Sequence, residues 1–179
     1  MHYPAAPAVE RAYTLESTSI LQLTCVEEAS IPPLADLAGY DSLVELIRRE
    51  GLDRLGGDFL VIGCSPGGGP TAKLAEKAGK HLIQQDSRKA NLPEGTRLAF
   101  AFVDGSHDPA RGFRLVWKHL LPRGWAGFHP YAGGLPDVTA ALNALLTEYS
   151  AEIDRVERIK EKRVLLIRKR TARTEWKKL

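Results

Sequence analysis

Two stretches of the chain are almost continuously apolar, residues 58–64 (DFLVIGC) and residues 98–103 (LAFAFV), and each gives way abruptly to Gly, Ser, Asp or His. Short unbroken apolar runs bounded by turn residues predict strands buried on both faces. Between and around them the period changes to that of a helix. Leu43, Val44, Leu46 and Ile47 share one face, with Asp41 as the expected N-cap and Gly51 as the stop. Residues 70–79 begin with Pro and end with Gly, the arrangement expected of a helix. Residues 109–121 place Phe113, Val116, Trp117 and Leu120 on one side of a further helix, and residues 135–150 form another. HLIQQDS (81–87) reads as a strand, NLPEGTR as a turn and residues 122–131 as a turn followed by a short strand. EIDRVERI and RVLLIRKR, on either side of KEK, predict an antiparallel hairpin, and SILQLTC (19–25) a short strand or buried lead-in.

Strands alternating with helices predict a three-layer, Rossmann-like α/β domain with a mostly parallel sheet and a C-terminal antiparallel hairpin. The organisation expected is an N-terminal extension (1–30), the domain itself (31–170) and a basic tail (171–179). In such a sheet ligands bind outside the carboxyl ends of the strands. The polar clusters at 64–69, 104–108 and 129–131 should therefore line one edge.

Composition changes this picture little. A chain of 179 residues with 44% hydrophobic and 26% charged residues is that of one globular domain. No apolar run reaches the roughly 20 residues of a membrane helix, and no secretory signal is evident, so a cytoplasmic protein without membrane attachment is expected. Two cysteines, Cys25 and Cys64, make neither a disulfide framework nor a zinc site. Charge matters more. Residues 158–179 carry ten Lys or Arg against two Glu, while the rest of the chain is net acidic. Such a segment is either a solvated strand face with its tail or a contact for an anionic partner.

The candidate chemistry lies at the strand ends. Asp104 or Asp108 with His107 could act as a general base toward a hydroxyl. Asp104, His107 and His129 together could hold a divalent metal. Cys64 beside a helix N-terminus is expected to be a small core residue, Trp117 and Trp125 to pack in the core and a turn, and Lys118 and His119 to be solvated. Gly67–Gly69 could present backbone N–H groups to a phosphate, but the Lys-Ser or Lys-Thr pair of a nucleotide-hydrolysing loop is absent.

The segments VIGCSPGGGPTAKLA, HLIQQDSRKANLPEG and AFAFVDGSHDPARGFRLVWKHLLPRGWAGFHPY, with the final hairpin, resemble the class I S-adenosylmethionine-dependent methyltransferases. The nearest branch is that of small-molecule O-methyltransferases and cephalosporin-hydroxylase-like proteins. The resemblance runs from about residue 58 to residue 170. It implies that Gly63, Ser65, Gly67 and Gly68 lie against the methionine part of the cofactor, where a missing Cβ permits close approach. It implies that Asp86 and Ser87 lie beside the adenine, that Asp104 and His107 form the catalytic or metal-adjacent strand end, and that His129 forms the next one.

Three departures stand beside these matches. Val61 occupies a position that is usually acidic in the family, and Pro130 turns the expected His-Asp-Tyr into His-Pro-Tyr. Gly63 and Asp104 are also only 41 positions apart, which suggests that one βα unit is missing. In the favoured alignment the lost unit is the one whose carboxylate holds the ribose. In the other, HLIQQD is that strand and Asp86, 23 positions after Gly63, is its acid. The function implied is O-methyl transfer to a small hydroxylated substrate by an S-adenosylmethionine-binding enzyme, with a homo-oligomer conceivable. The alternative is a methyltransferase-fold subunit without activity.

Overall fold

The computed structural model describes residues 39–63, 69–105, 108–132, 135–159 and 163–171, all within the compact unit Pro33–Leu179. The expected strand at 19–25, the N-terminal extension and all of the tail but Thr171 lie outside the described residues. The elements alternate as expected: α1 (Gly39–Glu50), β1 (Asp58–Ile62), α2 (Gly69–Lys77), β2 (Leu82–Gln85), β3 (Leu98–Asp104), α3 (Pro109–His119), β4 (Leu120–His129), α4 (Pro136–Glu148), β5 (Ile153–Ile159) and β6 (Val164–Lys169). The sheet order is β2-β1-β3-β4-β6-β5, with β2, β1, β3 and β4 parallel and the terminal hairpin antiparallel.

Side-chain alternation divides the core into two layers. Leu60, Ile62, Ala101, Val103, Ala126 and Phe128 face α3 and α4, meeting Phe113, Val116, Trp117, Leu142 and Leu145. Phe59, Phe100, Phe102, Trp125 and Leu166 face the other way, onto Leu43, Leu46 and Ile47 of α1 and Leu74 of α2. The strands are thus covered on both faces, which is why they read as continuous apolar runs.

Helices α1 and α2 end in the same way. Gly51 and Gly79 adopt φ of 65° and 63°, and the next N–H in each case reaches back, Leu52 to Ile47 O at 3.0 Å and Lys80 to Ala75 O at 2.8 Å. This is the glycine-terminated hydrogen-bond pattern that satisfies carbonyls at a helix end. Helix α1 begins at Gly39, so Asp41 lies in its first turn and is not the cap. Strand β4 starts at Leu120, directly after α3, and absorbs the predicted turn; Arg123 accommodates it at φ 69°. Trp125 is accordingly fully buried in the sheet and not in a turn. His119 is buried too, with Nδ1 3.1 Å from Thr96 O, where solvation was expected.

Gly127 pairs in register with Phe102, and a Cβ there would lie 2.6 Å from the buried Phe102 ring. Gly127→Ala should therefore destabilise the fold by about 1–3 kcal/mol through overpacking. Denaturant unfolding measures this; an unchanged midpoint would show that the seam between β3 and β4 can yield.

Candidate active-site edge

Four parallel strands end side by side, and each presents a residue named by the sequence pattern: Asp86 after β2, Gly63 after β1, Asp104 at β3 and His129 at β4. The sheet grows outward from β1 to β2 and then resumes on the other side of β1 with β3. The switch point of the topology, where open α/β sheets form their crevice, therefore lies between Gly63 and Asp104.

Gly63 has φ of 152°, and a Cβ on it would overlap the carbonyl oxygen of Asp104. The neighbouring strand by itself thus demands glycine here. Asp104 and His129 are register partners. Their side chains meet, His129 Nδ1 to Asp104 Oδ1 at 2.7 Å, with only 5% and 13% of the two side chains exposed. Gly105 N–H donates to His129 O at 3.0 Å, which ties the turn after β3 to β4. When Nδ1 carries the imidazole proton it donates to the carboxylate, leaving the lone pair on Nε2. A carboxylate that orients an imidazole in this manner is the arrangement of a general base.

The expected pairing of Asp104 or Asp108 with His107 lies outside the described residues. Asp104 partners His129, and Asp108 is engaged as the N-cap of α3, accepting from Arg111 N–H at 2.9 Å. Sequence reasoning placed both Asp104 and His129 at strand ends, but their pairing depends on the β3–β4 register. His107, Ser65, Gly67, Gly68 and Cys64 lie outside the described residues. Among the described residues no three His, Cys, Asp or Glu side chains group as metal ligands.

On the other side of β1, Ile62 pairs with Gln85. Strand β2 thus lies directly against β1, which puts Asp86 on the same edge as Gly63. This placement is the one that the second alignment expects of Asp86, at the end of the strand beside β1. The Asp86 side chain is 4% exposed. Its Oδ1 accepts from Arg88 N–H at 3.1 Å, Arg88 Nε stands 3.5 Å from Oδ2, and Oδ2 itself is buried without a hydrogen bond among the described residues. Ser87 follows in the turn, half-buried.

Three described cations of the basic segment are engaged internally. Arg168 pairs with Glu50 at 3.4 Å and Asp154 at 3.1 Å, Arg170 donates to Ile153 O at 2.8 Å, and Lys169 Nζ donates to Trp117 O at 2.7 Å, capping the end of α3. These contacts sit at the opposite, amino-terminal edge of β4.

No family model and no curated protein matches the chain. Solved structures do. A release-factor-specific protein-(glutamine-N5) methyltransferase from Alicyclobacillus acidocaldarius aligns over 79% of this chain and 99% of its own, at 16% identity and a TM-score of 0.51. The fold is that of a Rossmann-like methyltransferase. The N-methyltransferase NodS from Bradyrhizobium japonicum covers 76% of this chain and 99% of its own at 14% identity, with a TM-score of 0.46. The methyltransferase MycE of the mycinamycin pathway, solved with Mg and SAH, covers 78% of this chain and 49% of its own at 14% identity, with a TM-score of 0.48. Likeness at such identities speaks for the methyltransferase fold alone and does not single out the branch that the motifs resemble. Among the described residues no helix is long and apolar enough to cross a membrane.

Two outcomes follow from this geometry. Asp104→Ala, His129→Ala and the double variant should be non-additive in unfolding free energy by about 1–3 kcal/mol; additive values would mean that the pair does not interact in solution. Burial, partly opposed by Glu152, holds Lys169 below its ordinary 10.5. The unfolded chain then binds the extra proton between the two values, so this group's contribution to stability rises as pH climbs through that window. Relative to Lys169→Met, the parent protein should gain stability as the pH rises toward 10.5 in urea titrations. Parallel curves would contradict the burial of the ammonium.

Proposed function

We propose that the protein is an S-adenosylmethionine-dependent methyltransferase that modifies a hydroxyl of a small substrate. The observation that carries this is the buried Asp104–His129 pair beside the switch point of a methyltransferase fold. A cofactor at the adjacent strand ends is supported by Asp86. Among the described residues Oδ2 has the Arg88 guanidinium at 3.5 Å and no hydrogen bond; a buried carboxylate oxygen lacking one is costly, and the hydroxyls of a ribose are donors that would satisfy it. The 23 positions from Gly63 to Asp86 also suit the spacing of a ribose-binding acid. Asp86 and Ser87, with the turn from Gly63 through Ser65, Gly67 and Gly68, would hold the cofactor, which supplies an activated methyl group on a sulfonium.

The chain's own residues supply the rest. His129 Nε2 accepts the acceptor's hydroxyl proton, and Asp104 fixes the tautomer and stabilises the imidazolium that results. His107, two residues past Gly105 in sequence, is assigned to the same acceptor pocket. Transfer otherwise needs chiefly the alignment of the two reactants. Residues 31–170 form the catalytic domain in this reading, with 1–30 and 171–179 as appendages.

One observation favours a second reading, a methyltransferase-fold subunit without activity. Val61 is 3% exposed between Gln84 and Phe102, so the position where relatives carry an acid belongs to the core here. Calorimetric titration with S-adenosylhomocysteine separates the two. Micromolar binding is expected, weakened about tenfold or more in Asp86→Ala. No heat at millimolar ligand from a folded sample would sink the enzyme reading and leave the second.

A further inference from the structure

The hairpin carries a cation that the internal pairing does not consume. Arg155 is paired with Glu50 and Glu157, and Arg168 with Glu50 and Asp154. Arg158 meets no carboxylate within ion-pair distance among the described residues. What holds it is the face of Tyr131, with Cζ 5.0 Å from the ring centroid.

Register places this pair at the active-site edge. Phe128 pairs with Leu165, and Leu165 pairs with Arg158. Arg158 therefore lies in the row adjoining Asp104 and His129, two strands away from β4, roughly 10 Å at ordinary strand spacing. Leu165 and Phe128 belong to the α3–α4 face, as does Tyr131. The platform beneath the guanidinium is rigid. Tyr131 is 3% exposed, its hydroxyl donates to Asn143 Oδ1 at 2.7 Å and its N–H donates to Arg163 O at 2.6 Å.

We propose that Arg158, laid on Tyr131, binds a carboxylate of the methyl acceptor, so that the substrate is a small hydroxylated carboxylic acid. The assignment rests on the reading of this edge as a methyl-acceptor site. A guanidinium resting on a ring directs its N–H groups sideways, as a planar fork that matches a carboxylate with two parallel hydrogen bonds. The ring limits its wandering, which lowers the ordering cost of binding. Val156, two residues earlier on the same face and 40% exposed, offers apolar surface to the carbon skeleton.

Benzoate and benzamide are suitable probes, since they share shape and differ in charge. Benzoate titrated into the full-length protein should shift the Arg158 Nε–H resonance saturably, and benzamide should not. Arg158→Gln, at an exposed strand-edge position, should weaken benzoate binding about tenfold, and Arg158→Lys should restore only part of it. Equal binding of the two probes, or unchanged benzoate affinity in Arg158→Gln, overturns the proposal. S-adenosylhomocysteine added to the same sample keeps the two claims apart. Its binding without a benzoate response at Arg158 removes the carboxylate assignment alone. A benzoate response without its binding retains the acid site and removes the methyl-transfer reading.

Discussion

Where the sheet reverses its direction of growth, β1 and β3 approach so closely that only a residue without a Cβ fits, and the rest of the edge depends on that approach. Gly63, at φ 152°, packs onto the backbone of Asp104. Parallel pairing on each side of this contact then sets the neighbours: Ile62 with Gln85 brings Asp86 up on one flank, and Asp104 with His129 brings the imidazole up on the other. A slip of one residue in either pairing would turn the following side chains to the opposite face. The acid, the glycine, the carboxylate and the imidazole therefore share one edge because the backbones are packed there, before any ligand is considered.

Much of this was legible in the sequence, for physical reasons that differ by element. The doubly covered strands β1 and β3 announced themselves as unbroken apolar runs, and the helix ends at Gly51 and Gly79 as glycines that adopt positive φ. Asp104 and His129 were identifiable as polar residues closing buried strands. Their partnership was not, since Asp104 and His107 are nearer in sequence and only the register of two strands brings residue 129 alongside. The location of β2 was equally hidden. LIQQ is short and only half-buried, so its periodicity could not say which neighbour it pairs with. Strand β4 was underestimated because Pro122, Arg123 and Gly124 carry turn chemistry, yet the strand runs through them with one residue at positive φ.

The charge pattern gains detail once the topology is known. The basic C-terminal segment read as either a solvated strand face with its tail or a contact for an anionic partner, and the antiparallel hairpin sends the described cations of its two strands to opposite edges of the sheet. Arg168, Lys169 and Arg170 lie at the amino-terminal edge and are spent on Glu50, Asp154 and backbone carbonyls. Arg158 lies at the other edge, on Tyr131. Among the described residues, these cations form a structural clamp at one edge and a cation on an aromatic face at the other.

The central claim is that the ends of β1 and β2 form the cofactor half of a site whose acceptor half is Asp104 and His129. Hydrogen–deuterium exchange with and without saturating S-adenosylhomocysteine tests it most directly. Slowed exchange is expected in peptides covering residues 58–63 and 82–90, with the hairpin at 153–171 unaffected. Exchange that is unchanged at both strand ends, or protection confined to the hairpin, would contradict it.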